Sequence, residues 1–295
     1  MSKVMRLFAE EIWECHIRCN YQAWSRIIAS NRYWCADPFV VKDDEGVKWH
    51  FFCEMLDRYK SRGFIGYSEI KENGIVKPRI IEDLGCHASY PCVFRHEKKW
   101  YMIPETVDRH SIELYTAAEF PFKWNKIADL ASHLPAVDTT VFQLEGEYYV
   151  FIYEQYEKGN RLSIGRLDFS TLSLQDVQLV QQYSSKLGRP AGNVIMREGR
   201  YYRPTQYGVN HYGEEIVFKE FCYNPRTKKY WEKDVTIKRA EDFLKSDIQY
   251  TGCHTYNCLG KYEVIDVLRR KIFLFRPVMC LLKKLKIGGF SFYVR

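Results

Sequence analysis

Eight side chains have the types and the placement to do acid–base chemistry on a sugar. They are Asp37, Glu54, Tyr90, Glu105, Asp138, Glu154, Arg189 and His254. Asp37, Tyr90, Asp138, Arg189 and His254 each open a short apolar segment, while Glu54, Glu105, Glu154 and Gln206 close the aromatic segment that follows. Glycosyl transfer needs such a set: one carboxylate takes a proton from the attacking oxygen, a second protonates the leaving oxygen, and a third tunes their pKa values. An Asp before a strand can equally cap local backbone donors. The chemical reading is preferred for Asp37 and Asp138, and the structural one for Glu54 and Glu154.

A repeat supplies the elements that must bring these residues together. Ala36 to Val41 turns through a charged loop into Val47 to Glu54; Tyr90 to Phe94 turns into Trp100 to Glu105; Asp138 to Phe142 turns into Tyr148 to Glu154. Fainter copies run from Arg189 through Gly199 to Gln206, and from Cys253 through Gly260 to Val267. Copies every ~50 residues, each a strand, a tight turn and an aromatic strand, predict an all-β five-bladed propeller. In that fold the first strands start at the axis, so the residues that open them converge on one funnel and the ends of the second strands reach its rim. Alternating segments at 63–70, 111–117, 161–167 and 214–221 predict third strands, and 76–82, 124–130, 174–180 and 230–237 outer strands. Residues 11–19 alternate as well and are expected to complete the last blade and close the ring.

The propeller is expected over residues 11–277 as a single domain, with a short helix at 240–246 and a basic apolar tail at 278–295. The stretch from Leu268 to Pro277 is a candidate third strand for blade five. Beyond Pro277 a short amphipathic helix is expected, docked on the barrel or touching a membrane surface weakly. The ten cysteines show no CxxC pair and read as reduced thiols. Residues 1–13 hold no apolar run fit for a signal peptide, so a cytoplasmic chain is expected, peripheral to the inner membrane face if the tail binds lipid. A net charge of +7 is spread along the chain and argues against nucleic acid as a partner. Asp43-Asp44-Glu45 sits where a hairpin must turn and reads as a solvated turn, not a metal motif.

Several strings carry a resemblance. Tyr-Trp-Cys-Ala-Asp-Pro-Phe (33–39), Ser-Tyr-Pro-Cys-Val-Phe (89–94), Tyr-Met-Ile-Pro-Glu-Thr (101–106), Ala-Val-Asp-Thr-Thr (136–140) and Arg-Pro-Ala-Gly (189–192) resemble the N-terminal domain of plant glucosamine inositolphosphorylceramide transferases. The blade openings also resemble family 43 glycoside hydrolases, within the arabinanase, levansucrase and invertase type of propeller. That resemblance makes Asp37 the counterpart of the general base and Asp138 that of the pKa-modulating aspartate. It makes His254 the counterpart of an axial histidine that orients water or a calcium ion; no protein metal ligands are assigned. Blade four departs from the pattern, because Arg189-Pro190-Ala191-Gly192 stands where those hydrolases place their general acid. Losing general-acid help costs ~10²–10⁴ in rate. Either Glu105 acts as the acid from blade two, or the leaving group is a phosphate that Arg189 clamps.

Two functions follow as expectations. One is a carbohydrate-active propeller of surface polysaccharide or glycolipid assembly, transferring or hydrolysing glycosyl groups with Asp37 as base and Tyr90, Arg189, His254, Glu54 and Glu154 around the ligand. The other is a non-catalytic glycan-binding scaffold that partners a separate glycosyltransferase. The ligand expected is a glycan, sugar phosphate or nucleotide sugar, and the resemblance implies a glycosyltransferase or formyltransferase-like protein as partner. Whether Asp37, Glu105 and Asp138 face an open pocket or are tied up in ion pairs separates the two.

Overall fold

The computed structural model describes residues 8–43, 47–71, 74–75, 77–184, 187–208, 210–272 and 277–278. Five antiparallel sheets form a five-bladed β-propeller. Blade one is built from Tyr33–Lys42, Trp49–Asp57 and Arg62–Lys71, with Gly74–Ile75 and Arg79–Glu82 sharing its outer edge. Blade two runs Ser89–His96, Lys99–Glu105, Ser111–Glu119 and Lys123–Ser132; blade three runs Ala136–Leu144, Glu147–Glu154, Asn160–Asp168 and Ser173–Tyr183. In blade four the innermost strand is broken into Arg189–Pro190 and Ile195–Arg197, followed by Arg200–Tyr207, Glu215–Asn224 and Lys229–Lys238.

Blade five closes the ring with both ends of the chain. Tyr250–Leu259 pairs with Tyr262–Ile272, which pairs along its whole length with the N-terminal strand Ala9–Cys19, and Ser25–Arg26 lies outside. The expectation of a third strand from Leu268 onward is therefore corrected. Residues 268–272 extend the second strand, and the third position is filled by the N-terminus, one face of which hides Trp13, Cys15 and Ile17. The short helix covers Ala240–Phe243. The expected tail helix lies outside the described residues, apart from Pro277 and Val278. No described helix is long and apolar enough to cross a membrane.

Tight turns join the inner pairs. Glu145 and Gly146 both have positive φ (51° and 83°), as do Glu198 and Gly199 (51° and 72°), the backbone twist that two-residue hairpins require. Asp43 accepts the amides of Val47 and Lys48 at 2.9 and 3.0 Å and so serves its turn; Asp44, Glu45 and Gly46 lie outside the described residues. Aromatic side chains and aliphatic ones unbranched at Cβ fill the gaps between blades: Phe39, Phe52, Tyr90, Met102 and Leu114 join blades one and two, and Phe142, Phe151, Phe221 and Tyr223 join three and four. Between blades three and four lies a buried ion pair, Arg203 to Glu232 at 2.7 Å, completed by the hydroxyls of Tyr183 and Tyr230 at 2.7 and 2.6 Å.

A bulge recurs in the first strand of four blades. Two residues, Asp37-Pro38, Tyr90-Pro91, Asp138-Thr139 or His254-Thr255, stand opposite one residue of the partner strand. Asp37, Tyr90 and Asp138 take positive φ there, at 48°, 44° and 46°. A bulge leaves its amide without a ladder partner and re-aims the side chain.

Candidate functional site

The ring of bulges defines the site. Each bulge amide must find an acceptor, and in three blades a carboxylate of the preceding blade supplies it. The amide of Asp37 donates to Asp266 of blade five (2.9 Å), that of Tyr90 to Asp37 (3.2 Å), and that of Asp138 to Glu105 (3.1 Å). Two acids that suggest sugar chemistry in the sequence, Asp37 and Glu105, thus also stitch neighbouring blades together. In blade four, where the first strand is broken, Gly192 N donates to the Tyr90 hydroxyl at 2.8 Å, and that hydroxyl also bonds Thr140 Oγ1 at 2.7 Å. Gly192 has φ of +128°, and a Cβ there would lie 2.0 Å from the carbonyl oxygen of Tyr256, so only glycine lets the broken strand pass.

Two charged clusters flank the axis. In the first, Arg189 forks onto Asp138, with Nε to Oδ2 at 2.5 Å and Nη2 to Oδ1 at 3.0 Å, and reaches Glu105 Oε2 at 2.9 Å. Gln206, opposite Arg189 in the blade-four ladder, adds a donor to Asp138 at 2.7 Å. Burial pushes the Asp138 carboxyl well above the usual aspartate range; the Arg189 guanidinium opposes this, and neighbouring Glu105 adds to the rise. One guanidinium thus faces two buried carboxyls. Burial works against the charge of Arg189, yet Asp138, Tyr212 and Glu105 outweigh it and hold the guanidinium ionised.

The second cluster is Asp37, His254 and Asp266, all buried. His254 lies between the two acids, Nδ1 at 2.8 Å from Asp266 and Nε2 at 3.3 Å from Asp37. Thr255 Oγ1 donates to Asp37 at 2.8 Å, and Asp266 also accepts the amides of His254 and Thr255 at 3.1 and 2.9 Å. The ligand atoms of the three residues lie within 4.8 Å of one another, close enough to consider a metal. They do not fit the calcium ion that the hydrolase resemblance implies. Calcium takes six to eight oxygens, whereas both Asp266 oxygens here already accept backbone N–H groups and the imidazole fills the space between the acids.

Tyr212 bridges the clusters at the mouth. Its ring lies 5.6 Å from the Arg189 guanidinium and 5.2 Å, edge-on, from His254, which Trp13 covers from another side at 4.0 Å. Beside it opens a cavity of about 450 Å³ lined by Trp13, Trp34, Tyr212, His211, Thr251 and Arg270 among others. Neither Trp13, Tyr212 nor Asp266 is singled out by the sequence reading. Asp266 carries a signal in hindsight, since it stands opposite His254 in the faintest repeat.

The remaining candidates occupy other surroundings. Glu54 and Glu105 hold equivalent positions, each opposite the residue before its bulge, Ala36 and Ser89. Glu54 is fully buried against His87, whose Nε2 lies 3.2 Å away and whose Nδ1 accepts the amide of Gly63. Glu154 is displaced by one residue, because Tyr153 stands opposite the pre-bulge Val137. A one-residue shift sends a side chain to the other face, and Glu154 there accepts the Tyr156 hydroxyl at 2.5 Å while the Tyr153 hydroxyl binds Leu187 O at 2.8 Å.

Comparisons with known proteins agree with this architecture. An α-L-arabinofuranosidase from Lactobacillus brevis superposes with a TM-score of 0.55 at 15% identity, covering 78% of this chain and 81% of that one. An exo-β-1,3-galactanase from Phanerochaete chrysosporium gives a TM-score of 0.57 at 11% identity, over 85% and 64%. At these identities the likeness is one of fold. A protein of Oryza sativa subsp. indica named glucosamine inositolphosphorylceramide transferase 1 is 29% identical over 241 residues, 78% of this chain and 31% of the relative. The Arabidopsis thaliana protein of that name is 27% identical over 191 residues, 61% and 24%. The chain thus spans about a third or less of the curated relatives it matches. The profile described as glucosamine inositolphosphorylceramide transferase 1, N-terminal, matches residues 16–259, and with most of its length covered this chain belongs to that family.

Proposed function

We infer that this propeller serves carbohydrate assembly by binding a sugar, without cleaving a glycosidic bond itself, beside a separate glycosyltransferase. The observation that carries the reading is the engagement of the axial acids. Arg189 stands where an acid is needed and holds both Asp138 and Glu105, while Asp37 takes a hydroxyl on one oxygen and a blade-two amide on the other. A base must have an oxygen within hydrogen-bond reach of the proton it removes. The cavity lined by Trp13, Trp34 and Tyr212 offers aromatic faces to a sugar ring, with Arg270 and His211 in its lining for hydroxyls or an anionic substituent. Shared family membership with longer proteins named as transferases supports the partner.

The test is turnover of 4-nitrophenyl arabinoside, xyloside, glucoside and galactoside, and of nucleotide sugars, by the wild-type chain and Asp37→Asn. No turnover by either protein is expected. Asp37→Asn should instead lower stability by about 1–3 kcal/mol, because an amide turned toward either donor leaves a buried group unpaired. Turnover that Asp37→Asn abolishes at unchanged melting temperature would overturn this reading and restore Asp37 as a base.

A further inference from the structure

A second cleft lies between blades four and five, toward the face opposite the axial clusters. Its volume is about 430 Å³, within the range of small-ligand sites. Tyr202 in its lining is four residues from Gln206 on one strand, about 13 Å from the axial site. Tyr202, Phe218, Phe243 and Tyr256 give the cleft its aromatic lining, with Tyr256 packed 5.4 Å from Phe218 and 5.3 Å from Phe243.

Across from these rings sits a planar polar group. Arg18 forks onto Glu263 at 2.9 and 2.7 Å, the Tyr256 hydroxyl donates to the same carboxylate at 2.5 Å, and the Arg18 guanidinium is itself stacked 4.7 Å from Trp24. The lining basic groups, Arg18, Arg197 and Lys238, are matched in number by Glu198, Asp242 and Glu263. A cleft without net charge has no electrostatic preference for phosphate. Fixed donors and acceptors set beside aromatic faces suit a molecule with apolar ring faces and an edge of hydroxyls.

We propose that this cleft is a second carbohydrate site, taking one or two rings of a neutral sugar. It rests on its own residues and shares none with the axial cavity. A chain with sites on opposite faces can hold two parts of a glycan, or two glycans, at once, and joint engagement raises the apparent affinity without new contacts.

The experiment maps backbone amide shifts of the intact chain during titration with cellobiose, alongside Trp13→Ala, Tyr202→Ala and Tyr21→Asn. Tyr21 is the control for folding: its ring lines the cleft, is 77% exposed, and sits at φ of 60°, which asparagine tolerates. Millimolar binding is expected, with shifts at Tyr202, Lys238 and Glu263 that persist in Trp13→Ala and weaken about tenfold in Tyr202→Ala and measurably in Tyr21→Asn. Shifts confined to Trp13 and Tyr212 would overturn the second site while leaving the axial reading standing; shifts at the cleft alone would do the reverse. Glucose 1-phosphate binding in the cleft more tightly than cellobiose, with an affinity that falls as salt rises, would overturn the assignment to neutral sugars.

Discussion

Replacing Arg189 by Met tests whether the axial acids are held by an ion pair. The substitution keeps most of the side-chain volume and removes the donors to Asp138, Glu105 and Gln155, the last at 3.2 Å. The two carboxyls left behind are 1% and 5% exposed. Removing one partner of a buried pair costs about 3–5 kcal/mol, here reduced wherever the acids can take up protons. For a chain of this size that corresponds to a melting temperature lower by roughly 10 °C near neutral pH.

The sign of the pH dependence follows from the same geometry. Without the guanidinium, which opposes the rise, burial and the neighbouring Glu105 push the folded-state pKa of Asp138 further above its unfolded value. The folded variant then binds more protons than the unfolded chain, so its stability falls as pH rises. Urea melts of wild type and Arg189→Met between pH 5 and pH 8 should show a deficit that widens toward pH 8. Arg189→Lys should recover only part of it, because an ammonium cannot reproduce the fork. A deficit below about 1 kcal/mol that does not change with pH would refute the argument.

Three further outcomes are expected. Gly192→Ala should destabilise by about 3 kcal/mol or more in chemical melts, since its Cβ would meet the Tyr256 carbonyl and its φ is unsuited to alanine. Tyr90→Phe should cost about 1–3 kcal/mol by the same measurement, because the Gly192 amide and Thr140 hydroxyl lose their buried partner. Burial would raise the Glu232 carboxyl, but Arg203 and the hydroxyls of Tyr183 and Tyr230 hold it down at about 2. Its contribution is therefore present above the unfolded glutamate pKa of about 4.3 and is lost as pH falls from there toward 2. Glu232→Gln should be less stable than wild type at pH 7, and the gap should close in acid melts over that interval.

The blades were legible because period-two alternation and turn residues are local signals. Tyr-Tyr pairs beside Glu-Gly turns mark the inner hairpins of blades three and four, and the third strands differ from their expected ends by no more than three residues. The N-terminal strand was expected to close the ring, but Leu268 onward competed for the same place. Its apolar alternation is that of any strand, and only the pairing of Ala9–Cys19 with Tyr262–Ile272 decides between them.

By itself, the sequence determined the number of blades and which residues open them, because each repeat carries its own strands and turns. The Asp-Pro, Tyr-Pro and Asp-Thr openings already mark where the axis lies. Only the tertiary structure decided what those residues do there. Whether Glu54, Glu105 and Glu154 point alike depends on the bulge register, which a single-residue shift inverts in blade three. Whether Asp37 and Glu105 face a ligand or a neighbour's amide depends on the contact of one blade with the next, between residues 53 and 33 positions apart in the chain. A local pattern cannot encode that, since the need for an acceptor arises only when another blade's bulge is packed against it.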